Sequence, residues 1–461
     1  MRALVALFFV ALLLAVGGLG WLKFEHHAPQ ASLVRHVEVL GRKSPIDIDV
    51  RSDAPGFKTI AVRLQAGGVP IELVSETYPA VSWRGSGVTE KRLHIEPDLT
   101  QLKVPEGTAT IEVTAETFGW HLWTRTAAPL LSVPVTIDLT PPRLDLLTTQ
   151  HNLRLGGVEL AVFRQSPDTV YSGVEVDKYF FPAIAGTFAD HAIALAFFAV
   201  PQDLNDDARP RLIARDAAGN QREVYLPCTI KPRTFAERTL HLDDEFLSRK
   251  VPDLEHDNGL TPSADVVQGY LRINGELRRQ NEARIHELTA KSNPGPLWDG
   301  AFHRQSNAAP LSSFADRRSY EYHGQVIDHQ THLGFDLASL KLSPVEAAQN
   351  GIVVFAGNLG IYGNAVLLDH GLGIFSLYGH LSTIAVQPGE RVKTAQTLGQ
   401  TGETGLAGGD HLHFSIMLWG VHVDPVEWWD PHWLRDHVTP KLAMFARAAA
   451  EPVQEHEQGK P

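Results

Sequence analysis

Residues 409–418 read GDHLHFSIML. Successive side chains on a strand point to opposite faces, so a strand here turns His411 and His413 to one side. Leu412 and Phe414 then bury the other side. Two imidazoles sharing one strand face rarely serve packing alone.

Two further constellations lie upstream in the same Gly-punctuated, strand-rich block, residues 314–432. Residues 332–336 read HLGFD, flanked by glycine and apolar residues rather than helix formers, which predicts a strand and its turn. Residues four apart on a strand share a face, so His332 and Asp336 can reach one ion. The apolar strand GIFSLYGHL, residues 373–381, ends in Tyr378-Gly379-His380-Leu381. Together these groups offer nitrogen and oxygen donors without thiolates, the ligand set of a catalytic zinc site with an open position. Four imidazoles and one carboxylate exceed the three protein ligands such a site needs. Some of them must orient ligands or transfer protons instead.

Outside that block the texture changes along the chain. In residues 33–140, Ile46, Ile48 and Val50 alternate with Asp47, Asp49 and Arg51, the period of a half-buried strand. TIAVRLQA, PIELVSE and TATIEVTAE repeat it between Gly- and Pro-containing turns. Pro141-Pro142 removes two N–H donors and ends the ladder. A second strand-rich block, residues 141–232, closes with DAAGN, a turn between its last strands. Residues 233–313 switch to helical chemistry and then a loop, with Thr261 expected to cap a helix entered through Pro262. Residues 433–461 read as a short helix and a polar tail.

The chain begins with an uncharged run, ALVALFFVALLLAVGGLGWL, between Arg2 and Lys23. As a helix it spans about 30 Å, the thickness of a hydrocarbon core. A signal peptide has a shorter apolar region, about 7–15 residues, and a small-x-small cleavage site. The longer run, ending in Trp21 as an interfacial residue, predicts an uncleaved anchor over residues 1–23. The expected location is the cytoplasmic (inner) membrane, single-pass, with the C-terminal region in the periplasm or cell wall.

Composition narrows the class. The chain has 461 residues, 43% of them hydrophobic and 20% charged, ordinary globular values. Its net charge of −12 repels a phosphate backbone and argues against a nucleic-acid partner. The single cysteine, Cys228, excludes an internal disulfide, a four-thiolate zinc site and an iron–sulfur cluster.

FADRRSY, HLGFDLA, GIYGNAVLLDHG, LYGHLS, VQPGERV, LGQTGETGLAGGDHLHF and VHVDP stand in an order and spacing that resemble the M23 zinc metallopeptidases. These are the LytM/lysostaphin type, which cut peptidoglycan peptides. The resemblance runs from Phe314 to Trp429, about a quarter of the chain, within a domain expected over residues 314–432. It implies a mostly antiparallel β-sheet domain with a groove, and one zinc held by His332, Asp336 and His413. The family's two other catalytic histidines correspond to His380 and His411, and no position of either set is replaced. Which of the two is the general base stays open. His323, His329, His370 and His422 match no ligand position; Asp410 either supports a ligand or ends a turn, and Asn364 and Arg317, in family-typical stretches, serve either substrate contact or local structure. The strand-rich blocks resemble bacterial immunoglobulin-like domains, so the expected class is mainly β: two β-sandwich-like domains and a helical connector ahead of the peptidase.

The implied substrate is the stem peptide of peptidoglycan, cut at its cross-links, with the membrane contacted through the N-terminal helix. A cell-envelope protein could dock on the sandwiches. The alternative function is a non-catalytic LytM-type regulator or activator of a cell-wall amidase. A further alternative is a structural protein that only holds peptidoglycan.

Overall fold

The computed structural model describes residues 2–25, 27–52, 55–83, 85–120 and 128–446. The polar tail expected near the C-terminus falls largely outside the described residues. The protein is mainly β and divides into two compact units. One comprises Met1–Pro142 with Asp168–Val170 and Arg215–Arg222; the other comprises Arg143–Pro167, Tyr171–Ala214 and Glu223–Pro461.

The first unit opens with the helix Arg2–Lys23. Among the described residues it is the one helix long and apolar enough to cross a membrane. A three-stranded sheet (Gln30–Leu33, Ile46–Arg51, Glu90–Ile95) and a five-stranded sheet built around Phe57–Ala66 and Gly107–Thr117 follow. Ile46, Ile48 and Val50 are fully buried and share a core with Val62, Leu64, Ile111 and Val113. The period-two alternation therefore becomes one face of a sandwich.

In the second unit a central antiparallel sheet holds the histidines. Its strands run in the order Ala309–Ser312, Phe335–Ala338, Leu412–Leu418, Ile374–Leu381, Asn364–Gly371, Gly351–Asn358, Arg391–Val392. Both faces of this sheet are covered, and alternation decides which residue meets which cover. Val366, Leu368, Ile374, Tyr378, Leu412 and Phe414 join a core shared with strands of residues 144–226. Ala365, Leu367, Phe375, Leu377 and Met417 join a second core with the helical segment, through Leu247, Val251, Tyr270, Ile273 and Ile285. Buried polar contacts reinforce the first junction: Glu427 Oε2 accepts from Val158 N at 2.8 Å, and Arg233 pairs with Asp424 at 2.6 Å.

The helical segment is more than a tether. Its strand Glu237–Leu242 runs parallel to Arg317–Tyr322 and extends that small sheet. Helices Asp244–Asp257 and Val266–Arg272 follow, then a π turn Ile273–Leu277 and the helix Arg278–Leu288. The cap expected at Thr261 lies elsewhere. Asp265 caps the helix, its carboxylate accepting from Val267 N at 2.8 Å. Ser263 N is drawn to the Glu255 carboxylate at 3.1 Å, so Thr261–Ser263 stays outside the helix.

Candidate metal and catalytic site

Three neighbouring strands assemble the site. Asp336 is the register partner of His413 across one ladder, and Gly379 is the partner of His413 across the next. Asp336 lies between Phe335 and Leu337, and His413 between Leu412 and Phe414, all four apolar neighbours belonging to the core on the opposite face. Alternation therefore turns both polar groups toward the helical segment. His332 lies between the strands Gln325–Thr331 and Phe335–Ala338 rather than on a shared strand with Asp336. The two converge because the chain crosses from one sheet to another there, not through strand periodicity.

The donor atoms form a near-equilateral triangle. His332 Nε2 lies 3.0 Å from Asp336 Oδ1 and 3.0 Å from His413 Nδ1, and His413 Nδ1 lies 3.1 Å from Asp336 Oδ1. Donors about 2.0–2.2 Å from a tetrahedral zinc lie roughly 3.3–3.6 Å from one another, a few tenths of an ångström wider than this spacing. His332, Asp336 and His413 are all buried.

Backbone carbonyls set the tautomers. His332 Nδ1 donates to Ser313 O at 2.9 Å, His380 Nδ1 to Thr404 O at 2.8 Å and His411 Nδ1 to Gly409 O at 2.8 Å. A carbonyl oxygen only accepts, so each neutral ring presents a bare Nε2. His332 Nε2 lies 3.0 Å from the Asp336 carboxylate, a contact that a shared proton or a bound cation satisfies. The residues therefore fit a divalent ion, and backbone-anchored imidazoles are how such ligands are held.

The remaining two histidines flank the triangle. His411 Nε2 is 3.6 Å from Asp336 Oδ1, and the His380 and His411 rings are 4.9 Å apart. His380 sits at φ 64°, a left-handed conformation unusual for a residue with a Cβ. Such strain costs on the order of 1–3 kcal/mol and collects at functional sites. Arg318 Nη2 donates to Asp336 Oδ2 at 3.0 Å and to Ser312 Oγ at 2.8 Å, fixing the carboxylate from behind.

Burial dominates the electrostatics. It pushes His380 well below its usual range, with the neighbouring His411 and His413 adding to the effect. It pushes His413 down to about 4. Burial alone would raise Asp336, but the charge of His332 and hydrogen bonds from His332, His411 and His413 hold it well below the usual carboxylate range. Burial also opposes the charge on His411, yet the contact with Asp336 raises it. Burial thus favours the neutral imidazole at His380 and His413 beside an ionised Asp336, and a neutral imidazole with an ionised carboxylate is what binding a cation requires.

All five histidine and aspartate positions singled out in the sequence thus come together. The others separate. His323 and His329 are exposed. His370 is buried against Asn350 O and Ser376, and His422 against Glu282. Asp410 accepts from Leu342 N at 3.2 Å. Arg317 is exposed while its neighbour Arg318 reaches Asp336. Strand alternation is the signal that separates the two arginines, but only once the strand's inward face is known. Tyr270 and Arg278, which line the same cleft from the helical segment, carried no signal in the sequence.

The family model "Peptidase family M23" matches residues 330–425. The chain is 35% identical over 130 residues to the DD-carboxypeptidase/endopeptidase Mpg of Neisseria meningitidis serogroup B, covering 28% of each chain. It is 35% identical over 114 residues to the peptidoglycan DD-endopeptidase ShyC of Vibrio cholerae, covering 25% of this chain and 26% of that one. The match therefore spans about a quarter of the length of these curated relatives. It is 38% identical to lipoprotein NlpD of Yersinia enterocolitica over 94 residues, 20% of this chain and 96% of that one. A family model on the segment that holds the triangle, and a relative matched along nearly its whole length, lead to one assignment: through its C-terminal domain, this chain belongs to peptidase family M23.

Proposed function

We propose that this protein is a zinc-dependent endopeptidase that hydrolyses the peptide cross-links of bacterial peptidoglycan during cell-wall remodelling. His332, Asp336 and His413 are the metal ligands, and His380 and His411 are the catalytic histidines. The observation that carries the reading is the triangle of donors 3.0–3.1 Å apart with two more imidazoles at its edge. A bound zinc would supply Lewis-acid polarisation of the scissile carbonyl and activation of water. The chain's own part is proton handling and charge stabilisation. His380 and His411 keep Nδ1 on backbone carbonyls, so Nε2 is the atom that takes a proton from attacking water and returns it to the departing amine. Once protonated, the same atom donates to the developing oxyanion.

Retention of all five groups favours an enzyme over a non-catalytic regulator. The helix Arg2–Lys23 anchors the chain in the cytoplasmic membrane, with the peptidase on the wall side. Both statements are testable. The full chain in detergent should release uncross-linked products from purified cross-linked muropeptides, read by mass spectrometry. His413→Ala should release none. Protease added to spheroplasts should cut the C-terminal region without lysis. Protection until the membrane is broken would invert the topology and remove the substrate from reach.

A further inference from the structure

The helix Arg2–Lys23 joins the first sandwich without a linker. Phe24 already pairs with Trp120 in a parallel bridge, Trp120 N donates to Lys23 O at 2.9 Å, and Glu25 N donates to Trp120 O at 2.8 Å. Lys23 Nζ reaches back to Trp83 O at 2.7 Å. Glu25 is fully buried and accepts from Ser52 Oγ and from Thr117 Oγ1, each at 2.6 Å. The chain is thus clamped into the sandwich two residues after the helix ends. A helix of 22 residues is about 33 Å long, close to the thickness of a hydrocarbon core. When it spans a bilayer, residue 23 lies at the boundary between acyl chains and headgroups. The hydrogen bonds then hold residues 83 and 120 at nearly the same depth.

This end of the sandwich presents an apolar surface. Val81 is 76% exposed, Trp83 54% and Trp120 59%. Trp21, 69% exposed near the end of the helix, completes the set of tryptophans among the described residues of the first unit. The other exposed large apolar residues of that unit beyond the helix, Val34, Val69, Leu102 and Val170, are all aliphatic. The loops that carry the exposed rings have little charge. Residues 77–89 read TYPAVSWRGSGVT and residues 117–120 read TFGW, with Arg84 the one charged residue in the two stretches. The loop of residues 52–56 adds Asp53, an acid that offsets it. Gly87 N donates to Pro55 O at 3.2 Å and Phe118 N to Gly56 O at 3.1 Å, so the three loops form one tip. Tryptophan concentrates at membrane interfaces because its ring is apolar and its N–H seeks a polar partner. Exposed apolar residues grouped in this way mark a contact with a membrane or another protein.

We propose that Val81, Trp83 and Trp120 enter the headgroup–acyl boundary of the outer leaflet, so that the first sandwich is seated on the bilayer by its own tip. The inference rests on the anchor reading above and goes beyond it, extending membrane contact from the helix to a folded domain. The occupant of the patch is phospholipid, because the patch is continuous with the segment that spans it. A flexible tether would let the domain leave the surface, whereas the backbone bonds of Trp120 and the buried Glu25 hold helix and tip together.

The test uses the full chain in phospholipid nanodiscs, with Cys228→Ser to remove the native thiol and one new cysteine carrying an environment-sensitive fluorophore. Three positions are compared: Leu13→Cys in the helix, Val81→Cys at the tip, and Val69→Cys in the hairpin at the far end of the strand Phe57–Ala66. The label at 13 should emit to the blue and be quenched by nitroxides deep in the acyl chains. The label at 81 should also emit to the blue and be quenched by nitroxides on the headgroups, while the label at 69 should do neither. Trp83→Ser combined with Trp120→Ser should return the label at 81 to the emission seen at 69, with the melting temperature and the label at 13 unchanged. A blue shift at 81 that survives the double substitution overturns the assignment to the two tryptophans. The comparison of 81 with 69 in the parent chain decides the contact even if the double variant folds poorly. A label at 81 that matches 69 while 13 is quenched overturns the tip contact, leaves the anchor standing and assigns the patch to a protein partner. A label at 13 that emits as in water overturns the anchor reading, and the tip contact falls with it.

Discussion

Asp336 and His413 face one another as register partners on adjacent antiparallel strands, with His413 Nδ1 3.1 Å from Asp336 Oδ1. A sheet ladder fixes this pair, while His332 arrives on a connection that Ser313 O holds through Nδ1 at 2.9 Å. Removing any member leaves two protein donors. The purified protein should carry one zinc per chain, and Asp336→Ala or His413→Ala should carry none after dialysis, measured by elemental analysis. Stoichiometric zinc in His413→Ala would sink the ligand assignment.

His380 and His411 should behave differently. Each variant to alanine should keep its zinc and lose turnover by roughly 100-fold or more, because general acid–base and oxyanion contacts act on the transition state. Zinc content and kcat measured on the same preparation separate the two effects. Loss of the metal from either variant would show that the division of roles is wrong.

At Gly334 the backbone runs close against His413. A Cβ there would lie 2.4 Å from both Cε1 and Nε2 of His413 and 2.7 Å from Ser415 Oγ. His413 cannot retreat, because it is buried and Ser415 Oγ lies 3.1 Å from its Nε2. Gly334→Ala should therefore lower zinc affinity by at least tenfold and cost about 1–3 kcal/mol of stability, as overpacking does. A variant with unchanged affinity and melting temperature would mean the site is looser than this packing implies.

Glu427 predicts a pH dependence remote from the histidines. Burial pushes its carboxyl up to about 8, with Asp424 adding to the shift and the Val158 N–H, Arg154 and Arg233 opposing it. In the unfolded chain the group ionises near its ordinary value of about 4.5. A raised folded value favours the protonated native state, so this contribution is complete below about pH 4.5 and is lost as pH rises through 8. Denaturant titrations across that window should show stability falling, and Glu427→Gln should flatten the slope. An unchanged slope in the variant would assign the dependence to other groups.

Much of the site was legible because its residues sit in short, local patterns. His411 and His413 share a strand face by periodicity alone, and HLGFD brings His332 and Asp336 within a few residues of each other. The reason for the second pairing was not legible: the chain changes sheets between Thr331 and Phe335, so contact follows from the crossing rather than from a shared strand. Arg318 was passed over beside Arg317 for a similar cause, since only the strand's place in its sheet says which arginine turns inward. The helix Val266–Arg272 is capped at Asp265 and not at Thr261, because Glu255, several residues away in sequence, takes Ser263 N.

The sequence by itself determined the strand-rich character, the apolar N-terminal helix and the five polar residues gathered at the site, because periodicity and spacing act over a few residues. Only the tertiary structure decided what covers that site. Both faces of the central sheet are apolar, and a sequence can mark a strand as buried on both sides without naming its partners. Long-range packing assigned residues 144–226 to one face and the helices of 244–288 to the face that carries His413 and Asp336. That choice turns a connector into the second wall of the cleft, because side-chain alternation sends core residues and donors of one strand to opposite covers.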